Sequence, residues 1–126
     1  AQGCRKFVPL TEGEQFGTPE LRAAVKEYAD ILKQDGVDTV LLSCTHYPFI
    51  KKEIEEEMGS AVKVIDPAEQ TAFDAKAELE VCGLLQTEGS GKTTICFTAD
   101  LERGKRIASR MFDVEACVFQ AVKLGK

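Results

Sequence analysis

Between Thr18 and Gly36 the apolar residues Leu21, Val25, Tyr28, Ala29 and Leu32 recur at the three-and-four spacing that lines one face of a helix. Thr18 stands where an N-cap belongs, Pro19 takes the first helical position, and Gly36 supplies a stop. The pattern then changes period. "VDTVLLSC" is β-branched and nearly continuous in its apolar residues, which predicts a strand covered on both faces. "YPFIKKEIEEEMG" reads as a helix with Pro48 near its first turn and Gly59 at its end, and the run Glu53, Glu55, Glu56, Glu57 as its solvated face. The cycle repeats with strand "VKVID", a helix opening at Pro67, strand "TTICFTA", a helix capped by Asp100 and a last strand in "VEACVFQAV". "KFVPL", near the start, reads as one more strand. Alternation throughout predicts an α/β fold with a mostly parallel sheet.

Composition narrows the classes. A chain of 126 residues with 44% apolar and 29% charged positions is the size and make-up of one globular domain, and it can bury about two-thirds of its unfolded surface. Apolar runs such as "TVLLSC" are too short to span a bilayer, so no membrane partner is expected. A net charge of −5 with signs interspersed offers no concentrated basic surface for nucleic acid. The opening "AQGCRKF" has no signal-peptide core and no initiating Met, which suggests a processed or excised piece. Five cysteines, Cys4, Cys44, Cys82, Cys96 and Cys117, are odd in number, irregular in spacing and without a CxxC pair. That argues against a disulfide framework and a metal site, and for a reducing cytoplasm. Cys82, Cys96 and Cys117 lie in apolar patterns and read as packing residues.

Two stretches could carry chemistry. "GSGKTT" ends like a phosphate-binding loop, but Gln86 stands where the first glycine is required and a strand follows instead of a helix. Gln86 to Lys92 is therefore read as a connector. "SCTHYP" lies where a strand ends and a helix begins, the place at which open parallel sheets bind ligands. There Thr45 could cap the helix, backbone N–H groups and the helix dipole could hold a carboxylate and favour the Cys44 thiolate, and His46 could relay a proton. On the residues alone, Cys44 reads equally as a small core hydrophobe at the end of a buried strand.

"LLSCTHYP" resembles the second-half active-site signature of the glutamate racemase family. The likeness runs further: "FVPLTE" (Phe7 to Glu12) resembles a family strand followed by an acidic residue, "VKVID" its next strand, and "FTADLERGKRIASRMF" its closing strand and helix. Members interconvert L- and D-glutamate, a peptidoglycan precursor, without a cofactor. Inversion requires bases on both faces of the α-carbon. The resemblance implies Cys44 as the base on the face of the L-enantiomer, His46 as its proton-transfer aid, Thr45 as a substrate contact and Glu12 as the residue that orients His46.

Departures accompany the likeness. Ser43 stands where glycine is common, and Pro67-Ala68 where Ser-Gly is frequent. The family's first half, with its own cysteine, is absent, so the chain is expected to be an inactive partial enzyme: residues 1–66 part of the second domain, residues 67–126 completing the first. Uncovered apolar faces, and association with itself or with the missing half, should follow. The rivals are an aspartate racemase of the same superfamily, a Cys-His hydrolase, and a non-catalytic binding module in which Cys44 is buried. No lysine other than Lys92 suits a pyridoxal enzyme.

Overall fold

Helix α2 (Pro19–Gln34) forms where the periodicity puts it, with the Thr18 hydroxyl accepting from the Leu21 N–H at 3.2 Å. In the computed structural model, which describes residues 1–125, its buried face is Leu21, Ala24, Val25, Tyr28 and Ala29. Gly36 follows at φ +66°, a left-handed turn that a Cβ would strain. Strand β1 (Thr39–Leu41) pairs in parallel with β2 (Lys63–Ile65), setting Val40 against Val64. Between them lie a 3-10 helix (Tyr47–Ile50) and α3 (Lys51–Met58), whose Ile54 and Met58 join Ile50, Leu42 and Val64 in one core with α2.

The chain divides into two compact units, Ala1–Leu85 and Gln86 onward. The division falls at the start of the connector, which carries no regular structure up to Lys92. The first unit ends in α4 (Pro67–Val81), capped by Asp66, which accepts from the Ala68 N–H at 3.0 Å. In the second unit β3 (Thr93–Phe97) pairs in parallel with β4 (Cys117–Ala121), and α5 (Leu101–Ala108) lies between them in sequence, capped by Asp100. Both strand pairs are parallel, as the alternation requires, but each is a separate two-stranded sheet.

Several expectations are corrected. "KFVPL" is not a strand: Phe7–Glu12 is a six-residue helix, α1, with Phe7 and Thr11 buried one turn apart. Pro9 at its third position gives up an N–H that an early helical turn does not use. The strand in "VDTVLLSC" is three residues long and not covered on both faces, since Leu41 is 57% exposed. The last strand begins only at Cys117, after a 3-10 turn at Val114–Ala116. Cys82 and Cys96 are exposed, not packed, and Cys117 is half-buried. Uncovered apolar surface is present as expected: α4 buries no residue, and Phe73, Val81, Leu84 and Met111 are all more than 60% exposed. Among the described residues no helix is long and apolar enough to cross a membrane.

Candidate active site

The end of β1 delivers the chain into a loop whose depth alternates. Leu42 is buried at 3% exposure, Ser43 is exposed, Cys44 half-buried, Thr45 exposed and His46 half-buried. Two backbone bonds fold the loop, Tyr47 N–H to the Cys44 carbonyl at 3.1 Å and Phe49 N–H to the His46 carbonyl at 3.2 Å. Ile50, fully buried, then pins the far end of the turn to the core. Each fully buried aliphatic chain of this size contributes about 1.5–3 kcal/mol. The loop is thus anchored at both ends while Cys44, Thr45 and His46 stay within reach of solvent.

The side chains line up in one direction. Cys44 Sγ lies 4.0 Å from His46 Nδ1, and His46 Nε2 lies 3.1 Å from Glu12 Oε1 at the end of α1. Where the Glu12 carboxylate accepts from an Nε2–H, Nδ1 is left with a lone pair to present to the thiol. Proton transfer from Cys44 to Nδ1 would leave a thiolate beside an imidazolium that Glu12 holds in place. With the His46 and Glu12 side chains 33% and 43% exposed, this contact adds at most about 1 kcal/mol to stability. Its contribution is orientation.

Two features of the expected site are corrected. Thr45 is not an N-cap: the residue in that place is His46, with no capping bond from its side chain. No α-helix begins under Cys44 either, because a four-residue 3-10 turn intervenes and α3 starts only at Lys51. The dipole of a long helix therefore does not act directly on the sulfur, and the neighbouring imidazole carries the electrostatic argument.

Tyr47 was not singled out from the sequence, yet its ring meets Phe7 edge-on at 5.3 Å and 87°. Burial raises the pKa of its hydroxyl, and negative charge on Cys4 and Cys44 adds to the effect. Burial likewise raises the Cys4 thiol, opposed by a hydrogen bond with the Tyr47 side chain. Its place immediately after the histidine was the available signal. Ser43 and Thr45 are exposed on the same loop as Cys44. Among the described residues, no three His, Cys, Asp or Glu side chains converge on a metal position.

A strand-end loop bearing thiol and imidazole, met by a carboxylate from α1, is an arrangement able to move a proton on an α/β scaffold. A family model for Asp/Glu/hydantoin racemases matches residues 3–75, and the chain belongs to that family. It is 34% identical over 124 residues to glutamate racemase from Listeria innocua, covering 98% of this chain and 47% of the relative. Over 99 residues it is 36% identical to glutamate racemase from Thermoanaerobacter sp., covering 79% and 38% respectively. The crystal structure of glutamate racemase from Thermus thermophilus in complex with β-chloro-D-alanine superposes with a TM-score of 0.79 at 32% identity, over 97% of this chain and 46% of that one. The chain spans less than half the length of these relatives.

Proposed function

We propose that this chain supplies one half of a cofactor-independent, two-thiol glutamate racemase, and that Cys44 is the base on the face of the L-enantiomer. The observation that carries the reading is the series Cys44, His46, Glu12, with contacts of 4.0 and 3.1 Å in a strand-end loop. His46 accepts the Cys44 proton. The thiolate then takes the α-proton of L-glutamate: the Cα–H bond breaks, an S–H bond forms, and the electron pair stays on the α-carbon beside the carboxylate. An acid on the opposite face returns a proton and yields the D-enantiomer. Thr45, exposed in the same loop, contacts the substrate's α-substituents.

The second base lies outside the residues that could provide it here. Cys4 is in an irregular segment before α1, Cys82 follows α4, and Cys96 and Cys117 are within strands. None occupies a strand-to-helix loop. The uncovered apolar side chains of α4 support association with a complementary half, or with another copy, and a passage between racemase domains near Asp66 or Pro67. The reading places the enzyme in the cytoplasm, supplying D-glutamate for cell-wall peptidoglycan.

A chimera tests this: the Listeria innocua relative with its matched segment replaced by this chain. Conversion of L-glutamate in preference to L-aspartate, abolished by Cys44→Ser, is the expected result. Preference for aspartate would overturn the substrate assignment, and turnover indifferent to Cys44→Ser would overturn the mechanism. The 126-residue chain alone should convert neither.

A further inference from the structure

Helix α1 is a poor candidate for holding a carboxylate steady by its own means. It has six residues, no side-chain cap at its start, and a single turn's worth of closed hydrogen bonds, well below the length at which helices persist alone. Its two buried residues are Phe7 and Thr11, and the Thr11 hydroxyl has no partner among the described residues. Leu10 is only partly buried. Phe7 is thus the apolar side chain that fixes this helix in the core.

Two tyrosine rings meet the Phe7 ring. Tyr28 on α2 meets it edge-on at 5.1 Å and 86°, and Tyr47 meets it edge-on at 5.3 Å and 87°. Such contacts are directional, since ring edges and faces carry opposite partial charge, so they constrain tilt as well as distance. Tyr28 holds the start of α1 a second time, its hydroxyl accepting the Lys6 N–H at 3.3 Å. Tyr47 directly follows His46 in the loop, and Glu12 closes α1. Phe7 and Glu12 therefore sit at opposite ends of one short helix, and each touches one of two adjacent loop residues.

We propose that Phe7 is a positioning residue: held by edge-on contacts with Tyr28 and Tyr47, its ring sets the register of α1 against the Cys44 loop, so that the Glu12 carboxylate meets His46 Nε2. The proposal rests on the Cys44–His46–Glu12 reading of the site and adds the element that assembles it. Without these ring contacts, α1 would keep its fold but lose its register, and Nε2 would be released to water.

His46 is the single histidine in the chain, so its two ring nitrogens can be followed without assignment ambiguity by two-bond 15N NMR on the 126-residue protein. Wild type should show the Nε2–H tautomer in clear excess, and Glu12→Ala a mixture. Phe7→Leu, which keeps an apolar side chain but no ring, should move the 15N shifts at least halfway from wild type to Glu12→Ala. Tyr47→Leu should do the same, while Tyr47→Phe, which keeps the ring, should stay at the wild-type position. A folded Phe7→Leu protein with wild-type shifts refutes the proposal. Unfolding of both leucine variants also refutes it, because the rings would then hold the fold and not the register. Wild type lacking the tautomer excess would instead overturn the Glu12–His46 contact, and with it the reading beneath.

Discussion

Gly104 sits in the middle of α5, where helix propensity alone says that Gly→Ala should stabilise by about 1 kcal/mol. The surroundings reverse the sign. A Cβ built on Gly104 would lie 2.4 Å from Phe97 Cε1 and 2.5 Å from its Cδ1, far inside contact distance and against a rigid ring. Phe97 cannot retreat freely, since it stacks on Phe119 at 6.5 Å with the planes 7° apart, and Lys105 lies 5.7 Å over the Phe119 ring. Overpacking of this kind costs about 1–3 kcal/mol, and a clash this deep with a ring falls in its upper half. Set against the propensity gain, Gly104→Ala should destabilise the second unit by about 1–2 kcal/mol. Amide hydrogen exchange reads that unit by itself, avoiding a two-state assumption for a two-unit chain. Protection in β3 and β4 should fall about 5- to 30-fold. In a Phe97→Leu background the same substitution should be neutral or stabilising. Unchanged or raised protection in the wild-type background would refute the steric argument.

Other outcomes follow from the first unit. Thr11 is 1% exposed and its hydroxyl has no partner among the described residues, so Thr11→Val should be neutral or stabilise by about 1 kcal/mol in chemical denaturation; a loss above that would reveal a bond the hydroxyl makes. Ile50→Ala, at a fully buried position, should cost about 2–5 kcal/mol and loosen the loop it anchors, seen as faster alkylation of Cys44. Burial raises the folded-state pKa of both Cys4 and Tyr47, so each stays protonated where the unfolded chain has ionised. The unfolded state then binds fewer protons, and stability should be at its full value below about pH 8.5 and fall as pH rises through the folded values. Cys4→Ala should flatten the first part of that decline in denaturation curves taken between neutral and strongly alkaline pH.

How much of this could be read in the sequence varies with the range of the interaction that decides it. Helix α2 was legible because cap, proline, periodicity and terminal glycine all lie within one segment and agree. So was the parallel pairing, which follows from alternation. α1 looks like a strand in the sequence because a short apolar run carries no period of its own. The contacts that place it, Phe7 against Tyr28 and Tyr47, are with residues of other elements and leave no mark on the segment's own pattern. The exposure of Cys82 and Cys96 was equally hidden, since a local apolar pattern does not say whether anything lies over it.

The site divides in the same way. Cys44 and His46 were visible as neighbours in one loop, whereas Glu12 reaches His46 across 34 positions and came only through the family resemblance. The expected helix dipole did not materialise, because Pro48 lies in a 3-10 turn and the α-helix begins three residues later. In its place the structure offers an imidazole whose far nitrogen is held by a carboxylate. That is a more specific device for handling a thiol proton, and it depends on α1 being a helix of the right length in the right place.

The central claim, that the Cys44 sulfur removes the α-proton of the L-enantiomer, is tested most directly by proton NMR of L-glutamate in D2O with the chimeric racemase. The α-proton signal should wash out with wild-type Cys44 and persist with Cys44→Ser, while D-glutamate, served by the opposite base, still exchanges with the serine variant. Washout from L-glutamate at the wild-type rate with serine at position 44 would contradict the account.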